Sequence, residues 1–137
     1  MTKFAKKTTD TAVYASNRST RRGYNNRVIN SEIKVKKYLL QLGFQPNLKG
    51  YALLTRLIQH ALDGGEILPL KYSGYPLLSK EFGVDAASVE KDIQNAISSA
   101  WLRGNVDILY KEFGETLDEN KGKPTNKQFV LTALERI

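Results

Sequence analysis

Five polar side chains recur on one face of a helix predicted over residues 85–103. They are separated by one or three residues, and a repeat of 3.6 residues brings such positions to a common side of a helix; they are Ser88, Lys91, Gln94, Asn95 and Ser98. The carboxamides of glutamine and asparagine can exchange two hydrogen bonds with adenine, a lysine can donate to guanine or to a phosphate, and a serine can bond to either. This face has the chemistry to bind base edges in the major groove of DNA.

Positive charge is concentrated at the N-terminal end of the chain. The net charge is +7, and residues 1–37 hold ten lysines and arginines against Asp10 and Glu32. A basic segment of this kind indicates a polyanionic partner. Its arginines could enter a neighbouring minor groove or attract phosphates without sequence preference; they are Arg18, Arg21, Arg22 and Arg27.

Two further lysines, Lys123 and Lys127, flank the predicted start of the last helix. Backbone N–H groups at a helix start attract phosphates, and nearby lysines would add to that attraction. We therefore include both lysines among the candidate DNA contacts, although exposed lysines are also ordinary surface residues.

The candidate DNA-binding face needs a support, and the sequence predicts a helix-turn-helix. Residues 76–82 form a short helix that ends at Gly83, and Asp85 caps a longer helix that ends near Arg103. The buried side of the long helix is apolar and carries Val89, Ile93, Ala96, Ile97, Ala100 and Trp101. A short helix, a tight turn and a long helix with a polar front are typical of this motif.

The rest of the pattern is helical as well. A first helix is capped by Asn30 or Ser31, a second spans the leucines from 53 to 62, and further helices follow Asn105 and Thr125. Residues 67–75 are expected to be irregular. The prediction is an all-α fold of about six helices over residues 30–137, preceded by a flexible basic arm over residues 1–29.

Composition excludes several classes of function. The chain has no cysteine and one histidine, His60, so a thiolate site, a two-histidine metal site and a cysteine nucleophile are ruled out. The acidic residues between 112 and 119 have no partner base, so no enzyme activity, metal or cofactor is expected.

The sequence contains no run of about 18 apolar residues and no secretion signal. We expect neither contact with a membrane nor a small-molecule substrate. The expected location is the cytoplasm, in association with the nucleoid.

Two blocks in the C-terminal half carry a family resemblance. The block Ala-Trp-Leu-Arg-Gly-Asn at 100–105 is followed by Lys-Pro-Thr-Asn at 123–126. Two upstream segments, residues 43–51 and 77–82, belong to the same resemblance. Over about residues 34–136 the chain resembles the C-terminal DNA-binding domain of the sporulation regulator stage zero sporulation protein A. The resemblance implies six helices, a long helix that binds a short DNA box, and copies bound side by side to control transcription.

Two departures from that family affect the expected function. A basic segment of about 30 residues precedes the domain where the family carries a receiver domain, so we expect a stand-alone domain without phosphorelay control. The recognition helix has Ser88, Lys91, Gln94 and Asn95 where the family has several basic residues. Arginine contacts to guanine discriminate strongly between bases, so the DNA target is expected to be changed or relaxed.

The leading hypothesis is a bacterial transcription regulator that binds double-stranded DNA, with a homodimer or tandem copies on the DNA as the expected assemblies. Two alternatives use the same fold. One is a protein-interaction module that lost base recognition, and the other is an accessory factor of a mobile element that binds replication or conjugation origins.

Overall fold

A computed structural model of the chain describes residues 19–114 and 122–137, with side chains from residue 30 onward. Six α-helices follow one another: α1 (Ser19–Leu42), α2 (Lys49–Leu62), α3 (Tyr75–Phe82), α4 (Ala86–Arg103), α5 (Val106–Phe113) and α6 (Asn126–Arg136). The described ranges contain no strand. The all-α fold class predicted from the sequence is confirmed.

The core of residues 31–137, which form one compact unit, centres on the contact between α2 and α4. Both helices bury an aliphatic stripe completely, and burial of each such side chain contributes about 1.5–3 kcal/mol. The stripes comprise Leu54, Leu57 and Ile58 of α2 with Val89, Ile93 and Ile97 of α4. This contact holds the back of α4 against the domain and leaves its polar front free.

A glycine lets α2 and α4 approach closely. A Cβ atom placed on Gly50 would lie 2.2 Å from the Asp92 backbone oxygen and 2.5 Å from the Ala96 Cβ. Such distances are far below ordinary contact, so any side chain at this position would push the two helices apart. The short side chains at positions 50 and 96 therefore set how deeply α4 sits in the fold.

Aromatic rings join α4 to the C-terminal helices. Phe113 stacks on Phe129 with 5.0 Å between ring centroids, and Trp101 meets the Phe113 ring edge-on at 5.3 Å. Phe44, after α1, lies 5.1 Å from Phe129. Trp101 is half-buried, as its position at the apolar edge of its helix predicts, and its Nε1 has no hydrogen-bond partner among the described residues.

Helix α1 begins at Ser19, whereas the sequence pattern predicted its start at Asn30 or Ser31. Ser31 is buried and its hydroxyl donates to Asp63 Oδ1 at 2.7 Å, so it links α1 to the end of α2. Residues 19–30 contain no proline that would interrupt the helix before Ser31. Extending an existing helix costs far less free energy than starting a new one. The arm was predicted over residues 1–29, and of these residues 1–18 lie outside the described residues.

A second difference concerns the segment predicted as irregular. Leu70–Gly74 forms a π-helical segment that runs directly into α3. Leu70 and Gly74 are buried, so this segment is anchored to the core at both ends. Sequence analysis did not predict this segment, because five residues are too few to show a helical repeat.

Candidate nucleic-acid interface

The helix-turn-helix consists of α3, a turn over residues 83–85, and α4. Gly83 adopts the left-handed conformation with φ of 70°, and its N–H donates to the Ser79 oxygen at 3.0 Å. The Asp85 carboxylate accepts the Ser88 N–H at 2.7 Å and caps α4. Hydrogen bonds from the Ser88 backbone N–H and then from the Ser88 side chain favour the ionised carboxylate and hold the pKa of Asp85 below its ordinary value of 3.8. The predicted motif and its cap are both present.

Two long-range contacts hold α3 in place. Arg56 of α2 donates two hydrogen bonds of 2.9 Å to the carboxylate of Glu81, near the end of α3. Asn126, at the start of α6, donates to the Tyr75 hydroxyl at 3.0 Å and to the Glu90 backbone oxygen at 3.1 Å. The motif is therefore braced from α2 on one side and from α6 on the other.

The outward face of α4 carries the five polar residues singled out in the sequence. The structure leaves Lys91, Gln94 and Asn95 exposed, and Ser88 and Ser98 half-buried. The fully buried stripe of α4 occupies the opposite side of the helix. Three side chains with donors suited to base edges thus share one accessible face of a braced helix.

The structure brings two of the predicted contacts together. The Lys123 ammonium donates to the Ser98 hydroxyl, which joins the segment before α6 to the second half of α4. Lys127 is exposed on the first turn of α6. A groove of about 500 Å³ separates α4 from the start of α6, and Gln94, Lys123 and Lys127 all line it.

Sequence analysis missed one basic residue of this groove. Lys71, on the π-helical segment, lines its other wall. Only its charge and its neighbour Tyr72 could have drawn attention to it, because the surrounding residues show no helical repeat. Its place in the groove follows from the packing of the segment against α3.

The N-terminal arginines precede the compact unit of residues 31–137 in the sequence. Arg21, Arg22 and Arg27 belong to α1, and Arg18 lies outside the described residues. Their role as DNA contacts stays a prediction.

Two other properties concern the described residues alone. None of their helices combines the length and the apolar character that crossing a membrane requires. They contain no group of three or more His, Cys, Asp or Glu side chains placed to hold a metal ion.

Comparison with protein families identifies the fold. The family model described as "Sporulation initiation factor Spo0A C terminal" matches residues 35–137. The match begins within α1 and includes the helix-turn-helix, the aromatic cluster and α6. The chain therefore belongs to the family of C-terminal domains of the sporulation initiation factor Spo0A, which are DNA-binding effector domains.

Proposed function

We propose that the chain regulates transcription by binding double-stranded DNA in a sequence-specific manner, with α4 in the major groove. The observation that carries the proposal is the exposure of Lys91, Gln94 and Asn95 on one face of a braced recognition helix. Membership of a DNA-binding family supports it, and the protein would then act at the nucleoid in the cytoplasm. The amides favour adenine, and a good two-bond pair discriminates by about 1–3 kcal/mol.

The first test is selection of binding sites from random duplex DNA with the full chain. The selection is carried out at a salt concentration near the physiological one, because this suppresses binding that depends on phosphate attraction alone. Enrichment of one short motif would establish sequence recognition and show whether the box contains adenine at the positions that face the amides. Failure to enrich any motif would reject this function in favour of a non-specific binder or a protein-interaction module.

The second test assigns recognition to α4. Lys91→Ala, Gln94→Ala and Asn95→Ala are each expected to weaken binding to the selected site by about tenfold, and binding to random duplex by less. Gln41→Ala, which removes an exposed glutamine from α1, is the matched control and should change neither affinity. Equal losses on both DNAs for the three α4 variants would contradict the assignment. Titration by fluorescence anisotropy measures all of them.

A second proposal concerns copies of the chain bound side by side. Leu102 is 81% exposed, and it borders an apolar groove of about 430 Å³ with Val106 and Tyr110. Exposed apolar side chains grouped in this way favour contact with another protein surface, and we propose a second copy on an adjacent DNA box.

Binding to duplexes with one and two selected boxes tests this second proposal. We expect cooperative binding to two boxes, reduced by Tyr110→Ser without loss of affinity for a single box. Independent binding to the two boxes would reject it.

A further inference from the structure

A positively charged groove lies beside the recognition helix. Its walls are the π-helical segment on one side and the start of α6 on the other, and Glu90 and Gln94 of α4 line it between them. Three lysines line this groove, namely Lys71, Lys123 and Lys127, and Glu90 is the one acidic residue among its described lining. The excess of positive charge makes the groove attractive to an anion.

We infer that this groove binds the phosphate backbone of the DNA strand next to the major groove that α4 occupies, with Lys71 as a direct phosphate ligand. The inference rests on the proposed DNA-binding function and extends it to a segment outside the helix-turn-helix. A lysine ammonium is suited to this role because it is a compact charge that binds phosphate without demanding one geometry. The contact would orient α4 over its bases.

The wall that carries Lys71 is ordered before any ligand arrives. The N–H groups of Tyr72 and Ser73 both donate to the Pro69 oxygen, at 3.1 and 2.8 Å. Leu70 is buried, and the segment continues into α3 without a break. A charge on a rigid support loses little conformational entropy on binding, and single π-helical turns are frequent at functional sites.

The opposite wall is held at a set distance. Asn126 bonds to both Tyr75 and the Glu90 backbone, which ties the start of α6 to α3 and to α4. The Lys123 ammonium donates to the Ser98 hydroxyl, which ties the segment before α6 to α4 a second time. Hydrogen bonds between the elements therefore help to set the width of the groove that the lysines line.

The lysines of the groove have no acidic partner among the residues that the structure describes. Within the described residues, Lys71, Lys123 and Lys127 form no ion pair, whereas Lys36, Arg56 and Arg136 do. Lys71 Nζ instead lies 5.6 Å from the centre of the Tyr72 ring, and that ring is 72% exposed. A cation over an aromatic face keeps its charge and stays available to a phosphate.

Salt dependence of DNA binding tests the inference. On a 24-base-pair duplex of random sequence, Lys71→Ala is expected to weaken binding by about tenfold and to lower the slope of log K against log salt by about one. Lys111→Ala removes an exposed lysine of α5 that does not line the groove, and it is the matched control. A Lys71→Ala slope equal to that of Lys111→Ala would overturn the inference. Circular dichroism verifies that both variants remain folded.

Neutral phosphates locate the contact. Methylphosphonate groups are substituted one at a time along the same duplex. At some positions, the substitution should weaken binding by the wild type and leave binding by Lys71→Ala unchanged. Equal effects on both proteins at every position would overturn the inference.

The result also separates this inference from the proposed function. If selection enriches no motif while Lys71→Ala lowers the slope, the groove contact stands and sequence recognition fails. If a motif emerges and Lys71→Ala behaves as wild type, sequence recognition stands and the groove contact fails. Inorganic phosphate bound by the wild type and lost in Lys71→Ala, with the duplex slope unchanged, would assign the groove to a free anion and would also overturn the inference.

Discussion

At the scale of single residues, Asp85 sets the start of the recognition helix. Its carboxylate accepts the Ser88 N–H, one of the donors that the first turn of a helix leaves without a partner. The same bonds favour the ionised form and lower the pKa of Asp85. The residues that we propose as DNA contacts begin three positions later, at Ser88, so this cap helps to position them.

The cap of α4 is expected to respond to pH. Because the pKa of Asp85 is lower in the folded protein than in the unfolded chain, its stabilising effect is fully present above about pH 4 and is lost as the pH falls through the folded pKa. Asp85→Ala should therefore lower the urea midpoint at pH 7, and the difference from wild type should shrink at acidic pH. Asp85→Asn keeps an acceptor without a charge, so its urea midpoint at pH 7 should lie between those of wild type and Asp85→Ala. Loss of stability in Asp85→Ala that does not change with pH would contradict this account.

At the scale of elements, the approach of α2 to α4 decides how far the recognition helix projects. The two helices share the largest contact in the domain, and their crossing point is Gly50. The Arg56–Glu81 ion pair adds a second constraint by joining α2 to α3. Because both charges are half-exposed, the pair contributes about 1 kcal/mol or less to the free energy of unfolding. Thus α2 acts as the common support for both helices of the DNA-binding motif.

Gly50→Ala is expected to destabilise the fold by about 1–3 kcal/mol, because its Cβ would meet the Asp92 oxygen at 2.2 Å. Urea denaturation at 25 °C measures the change. Gly114→Ala is the matched control, since this glycine has a helical φ of −53° and nothing within 4 Å of its added Cβ. That control should be neutral or slightly stabilising. A Gly50→Ala variant as stable as Gly114→Ala would show that the helices can move apart at little cost.

At the scale of the whole molecule, charge is divided unevenly along the chain. The net charge is +7, of which residues 1–37 contribute +8 and residues 38–137 contribute −1. Under the proposed function, charge at one end would increase the rate of encounter with DNA and the salt dependence of binding, while the polar face of α4 would supply base contacts. Non-specific and specific binding would thus depend mainly on different parts of the chain.

Arg21→Ala and Arg22→Ala are expected to weaken binding to selected and random duplex by the same factor, and each to lower the salt slope by up to about one. Lys111→Ala on α5 is the control for loss of one exposed positive charge. A larger loss on the selected site than on random DNA would instead indicate sequence-dependent contacts by these arginines. Anisotropy titrations at several salt concentrations distinguish the two results.

Local signals account for the elements that the sequence predicted correctly. The cap at Asp85, the turn at Gly83 and the capping box of Thr125 and Gln128 each act within three or four residues, and all occur in the structure. The start of α1 was misplaced because the cap expected at Ser31 is replaced by a hydrogen bond to Asp63, 32 residues away. The π-helical segment was missed because it is shorter than two helical turns.

The sequence alone determined the all-α class, the helix-turn-helix and the polar front of α4, because these depend on periodicity and on caps formed between near neighbours. Only the tertiary structure decided that Lys71 and Lys123 line one groove and that Lys123 bonds to Ser98. Those residues lie 25 or more positions apart, and their meeting depends on how α6 packs against α3 and α4. Side-chain pairing over such separations is a property of the assembled core, which no local pattern encodes.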